Sequence, residues 1–212
     1  MNVGILIFPD VEVLDFAGPF EAFSVATRVA KRDRNKEDTL FQAFFVAETS
    51  TIVSARYGFL VKPHYGFDSH PQIDLLLVPG GIVDQPRASV KTMEWIKRNA
   101  APAQLVTSVC TGAFLLAQAG LLDGLKATTH WEDIGDLRRE FPKVDVVENQ
   151  AWVDQGRTLT SAGISAGINM SLYLVARLHD EDLARSTARQ MVYHWHHEPA
   201  RVYEKPGFAR QV

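Results

Sequence analysis

The chain has 212 residues, 46% of them apolar and 22% charged, with a formal net charge of -3. That composition suits one globular domain over residues 1–212 and argues against a disordered chain or a basic nucleic-acid binder. No apolar run approaches the roughly 20 residues of a membrane span, and the single cysteine excludes an internal disulfide.

Residues 3–8 form an apolar run that starts almost at Met1, without a charged leader or cleavage site, so they read as a buried first strand. A reducing cytoplasm is therefore the expected compartment. Gly18-Pro19 then marks a helix start, because proline suits the first helical position, and the helix is expected over residues 19–31. The basic run at residues 31–36 is diluted by Glu37 and Asp38 and reads as a solvated helix end. Residues 41–47 are a second strand. Residues 52–54 and 59–61 flank Arg56-Tyr57-Gly58 as a hairpin on the sheet edge.

Residues 73–78 are a central strand that stops at Pro79-Gly80-Gly81, and residues 89–99 follow as a helix. Residues 104–108 form the next strand and residues 111–119 a small-residue helix closed by Gly120. Short strands at 126–129, 144–148, 151–153 and 158–161, with helices at 131–141, 165–178 and 181–193, complete the pattern. Apolar strands alternating with helices predict an α/β fold with a mostly parallel sheet covered on both faces.

Three segments carry chemistry. Residues 105–109 are an apolar strand that ends on Cys110, and Thr111-Gly112-Ala113 opens a helix at once. This is the pattern of a nucleophile elbow, which presents a side chain above the carboxyl edge of the sheet, where ligands bind. The unpartnered N–H groups of the helix end are expected to lower the thiol pKa. A buried structural cysteine that happens to begin a helix gives the same letters. Gly80 and Gly81 end a strand at the same edge, where their N–H groups, with that of Thr111, would form an oxyanion site; a plain turn is the alternative. Asp15 lies among apolar neighbours in what reads as the loop before the helix. It is an acid/base candidate with a perturbed pKa, or else a capping carboxylate.

Together with Ala127-Thr128-Thr129-His130-Trp131 and Ser161-Ala162-Gly163-Ile164-Ser165-Ala166-Gly167, these segments resemble the DJ-1/PfpI superfamily, in its isonitrile hydratase-like branch. They are also similar to the sensor domains fused to AraC-type regulators. Those proteins carry a helix-turn-helix after this domain, for which a chain ending at Val212 leaves no room. The resemblance implies a flavodoxin-like three-layer sandwich of the class I glutamine amidotransferase type, working as a homodimer on a small-molecule substrate. Cys110 would be the nucleophile, Asp15 its acid/base partner and Thr111 a neighbouring catalytic residue. Gly80, Gly81, Gly163 and Ile164 would form the oxyanion and substrate-binding wall. The implied activity is hydration of an isonitrile to an N-substituted formamide. The alternatives are a redox or ligand-sensing module and glyoxalase or deglycase chemistry. The protease branch has histidine directly after the cysteine; Thr111 stands there instead, which argues against peptidase activity.

His130, Trp131 and Asn169 are supporting candidates. Asn169 stands where the isonitrile hydratase branch commonly has aspartate. His194, His197 and Glu198 would share one face if that segment were helical, but no further ligand set accompanies them, so no metal is expected. No phosphate-binding glycine motif is present, and no cofactor is expected.

Overall fold

The computed structural model describes residues 1–34 and 39–198. The end of the basic run, from residue 35, lies outside them. Among the described residues, seven strands form one sheet in the order β10-β11-β7-β6-β1-β2-β5. They are β1 (Asn2–Leu6), β2 (Gln42–Ala47), β5 (Tyr65–Gly66), β6 (Leu75–Val78), β7 (Leu105–Val109), β10 (Trp152–Gln155) and β11 (Thr158–Ser161). All neighbours pair parallel except β10 with β11, which form an antiparallel edge. Strands β6 and β7 are buried at every position, as strands covered on both faces must be. This is the α/β sandwich expected from the alternation of apolar runs.

One helix group packs together as α1 (Val13–Arg34), α6 (Ala166–Leu178) and α7 (Glu181–Gln190). A second comprises α2 (Asp84–Ala88), α3 (Val90–Ala100) and α4 (Gly112–Gln118). The chain lays β2 on one side of β1 and returns to place β6, β7 and β11 on the other. Such a reversal opens a crevice at the carboxyl ends of the strands.

The first helix differs most from expectation. It starts at Val13, six residues before Pro19, and carries Asp15 in its first turn and Pro19 inside it. Proline there forfeits one backbone bond. The apolar face of Phe16, Phe20 and Phe23, at helical spacing, outweighs that loss. Gly18 serves the crossing of α1 and α6: a Cβ on it would come within 2.8 Å of the Ile168 side chain.

The hairpin of β3 (Val53–Ser54) and β4 (Leu60–Val61) forms, but as a separate two-stranded ribbon outside the main sheet. A second small ribbon joins β8 (Lys126–Ala127) to β9 (Asp145–Val146), with α5 (Ile134–Glu140) between them. Helix α7 ends at Gln190, and Tyr193 to His196 adopt no helix. His194, His197 and Glu198 therefore do not share a helical face. No described helix is long and apolar enough to cross a membrane.

Candidate active site

Strand β7 ends at Val109, and Cys110 turns the chain into α4 with a φ of 55°. A non-glycine residue in this left-handed region is strained, and such strain is held by its surroundings. Three hydrogen bonds hold it: Cys110 N–H to the Ser161 carbonyl at 3.0 Å, Ala113 N–H to the Cys110 carbonyl at 3.2 Å, and the Thr129 hydroxyl to that same carbonyl at 2.9 Å. Glycines let other backbone approach. A Cβ on Gly163, itself at φ 80°, would lie 2.9 Å from the Cys110 sulfur. A Cβ on Gly80 would lie 2.6 Å from the Thr111 nitrogen. These observations give Gly80 and Gly163 a physical reason to be glycine.

Asp15 reaches the elbow from the first turn of α1 and is fully buried. Its Oδ2 accepts the Gly80 N–H at 3.0 Å. Among the described residues no donor meets its Oδ1 with hydrogen-bond geometry, although the Cys110 thiol lies close enough to stabilise the charge. Burial dominates and pushes the Asp15 carboxyl up to about 7; the Gly80 bond pulls it down, Glu12 pushes it up and the thiol pulls it down. An Oδ1 without a donor is tolerable for a group protonated half the time.

The expectation of a lowered thiol pKa is overturned. Burial, then the Asp15 carboxylate, push the Cys110 thiol up; the Thr111 N–H pulls it down, Asp133 pushes it up, and the Thr111 hydroxyl pulls it down. The helix end does act in the expected sense through Thr111. It is outweighed because Cys110 is only 8% exposed and its thiol faces the Asp15 carboxylate. Near neutral pH the two groups together pass between no charge and a single negative charge, a titration that belongs to the pair rather than to either side chain.

The oxyanion arrangement also needs correction. The Gly81 N–H donates to the Thr111 hydroxyl at 2.9 Å, and that hydroxyl donates back to the Gly81 carbonyl at 2.9 Å. The Gly80 N–H is committed to Asp15. Neither glycine amide is therefore available for a developing oxyanion in this arrangement. The Thr111 N–H is at the sulfur.

His130 follows Thr129 and is mostly buried; its Nδ1 lies 3.6 Å from both Glu132 and Asp133 carboxylates. Asp133, half-buried, has its pKa raised by burial and lowered by His130. It reaches the thiol electrostatically, a contribution that sequence reasoning missed; a carboxylate three residues after His130 was the available signal. Glu12 was missed likewise, and its N–H donates to the Gly80 carbonyl at 2.9 Å. Trp131 is 58% exposed beside His130. Ile164 is 40% exposed in the turn before α6, next to Gly163. Asn169 Oδ1 accepts the His196 N–H at 3.2 Å and ties the segment after α7 to α6. His197 pairs with Glu181 at 3.0 Å.

Residues 1–177 match the model of the DJ-1/PfpI family. Isonitrile hydratase from Pseudomonas putida is 34% identical over 91% of this chain and 78% of its own. The HTH-type transcriptional regulator GbdR from Pseudomonas aeruginosa is 27% identical over 91% of this chain, which spans 50% of that regulator's length. Among solved structures, a ThiJ/PfpI family protein from Pseudomonas syringae superposes with a TM-score of 0.78 and 26% identity, over 100% of this chain and 78% of its own.

Proposed function

Since the chain belongs to the DJ-1/PfpI family, we propose that it hydrates an isonitrile to an N-substituted formamide, with Cys110 as nucleophile and Asp15 as acid and base. The observation that carries this reading is the buried Asp15 carboxyl, held by the Gly80 N–H against the elbow thiol and titrating about 7. A proton carrier is most effective when its pKa lies near the working pH.

The thiol keeps its proton at rest, so attack and deprotonation go together. Asp15 takes the sulfur proton as the sulfur bonds to the terminal isonitrile carbon, then delivers that proton to the same carbon, giving an N-substituted thioimidate. Asp15, again a carboxylate, takes a proton from water as the water oxygen adds to that carbon. The proton passes to nitrogen, the carbon–sulfur bond breaks, and sulfur recovers a proton as the hydroxyl gives one up to leave the formamide carbonyl. The sum is isonitrile plus water to formamide. The Thr111 N–H, at the sulfur, stabilises negative charge there as the bond forms and breaks. Isonitrile hydratase at 34% identity supports the substrate class.

Incubation with cyclohexyl isocyanide tests the reading. The wild type should accumulate N-cyclohexylformamide, and Cys110→Ala should lose at least about 10³-fold in rate. Formamide production by Cys110→Ala at the wild-type rate would exclude the mechanism. A second reading, a ligand-sensing module, is favoured by the regulators whose half-length this chain matches. It predicts no formamide with either protein. The homodimer implied by the family belongs to the same proposal.

A further inference from the structure

A cavity of about 430 Å³ opens at the carboxyl ends of β1 and β2 and does not include Cys110, Asp15, Gly80 or Thr111 in its wall. Its floor continues β1 through Leu6, Ile7 and Phe8, and Ala47 ends β2 beside it. Residues of the β3–β4 ribbon, α2 and the start of α3 close the sides. The volume lies within the range of about 300–1,000 Å³ typical of small-molecule sites, and the strand ends of an open α/β sheet are where such sites form.

We propose that this cavity is a second small-molecule site, for a compact uncharged molecule with an apolar body and one hydrogen-bonding end. The chemistry of the wall selects that class. Leu6, Phe8, Val53 and Phe67 are buried hydrocarbon. The polar part is hydroxyl and amide: Thr49, Thr51, Ser54, Gln85, Ser89 and Thr92. Among the described residues no lysine, arginine or histidine lines it, and the one charged residue among them, Glu48, already pairs with Lys91 at 3.1 Å. A charged ligand would lose its hydration without gaining a counterion, whereas an uncharged one exchanges water for hydroxyl partners at little cost.

Residues 8–12 run from this cavity to the glycine turn beside the elbow. Phe8 and Pro9 face the cavity. Asp10, at φ 60°, donates its N–H to the Ser54 carbonyl at 2.9 Å, and its carbonyl accepts the Ile82 N–H at 3.1 Å. Ile82 adjoins the Gly81 that pairs with Thr111. The two sites are thus neighbours with separate walls.

Titration of the full isotope-labelled protein with cyclohexanol, read by amide chemical shifts, tests the proposal. Saturable shifts should centre on Ala47, Ser54 and Thr92. Thr51→Trp at the exposed rim should weaken binding at least about tenfold, as should replacing the probe by cyclohexanecarboxylate. Thr92→Met, which narrows the opposite wall, should act in the same direction and serves if the first variant misfolds. Absence of saturable shifts, shifts centred on Cys110 and Gly163, affinity unchanged in both variants, or equal affinity for the carboxylate would each overturn it. None of these readouts depends on isonitrile turnover.

Discussion

At Asp15 the cost of burying a carboxylate appears as a pH dependence. The ordinary value is 3.8, and in the fold it is about 7. Between those two values the folded state binds the extra proton, so stability falls as pH rises, and above about 7 the penalty is complete. Three pKa units correspond to on the order of 4 kcal/mol, an upper figure for a group coupled to a thiol. Asn at position 15 keeps an acceptor for the Gly80 N–H without the charge. Asp15→Asn should therefore melt higher than the wild type at pH 8 and about equally at pH 4, while turnover drops by roughly 10²–10⁴-fold. Wild-type kcat/KM should rise with pH through about 7, since the free enzyme needs the carboxylate to accept the sulfur proton. A melting temperature unchanged at pH 8 would show that the carboxyl carries no such penalty.

At the scale of elements, the elbow depends on strands β7 and β11 and the segment after β8. The Thr129 hydroxyl holds the carbonyl of the strained Cys110, and the Thr128 N–H is anchored to the Thr160 hydroxyl at 2.8 Å. Thr129→Val keeps the shape but removes the bond, leaving the Cys110 carbonyl with the Ala113 N–H alone. A loss of about 0.5–1.5 kcal/mol is expected on denaturant unfolding, with slower formamide formation as Cys110 relaxes from its φ. Equal stability and equal turnover would mean that the elbow is held by its backbone bonds alone. This scale was partly legible beforehand. A strand stopping on Cys110 before small residues is a local pattern, and the structure has that junction. The start of α1 was not legible, because Gly18-Pro19 carries the letters of a helix start while tertiary packing of Phe16, Phe20 and Phe23 decides where the helix begins. β5, only two residues long, and α2, five residues, gave no periodic signal.

Across the whole molecule, the parallel sheet could be read from apolar runs because strands buried on both faces need continuous hydrocarbon. The proton affinity of the site could not. Helix ends are visible in sequence, but the depth of Cys110 and its distance from Asp15 and Asp133 arise only when α1, β7 and the segment after β8 converge. Sequence therefore indicated the thiol's neighbours without the balance between burial and the helix end. The account as a whole rests on sulfur forming a bond to the isonitrile carbon. Mass spectrometry of the intact and digested wild type and of Cys110→Ala, quenched with acid during reaction with cyclohexyl isocyanide, reads that bond directly. The account predicts a gain of one isonitrile mass, mapped to Cys110 and absent from Cys110→Ala. Formamide accumulating while every quenched sample keeps an unmodified Cys110, with Cys110→Ala equally active, would contradict it.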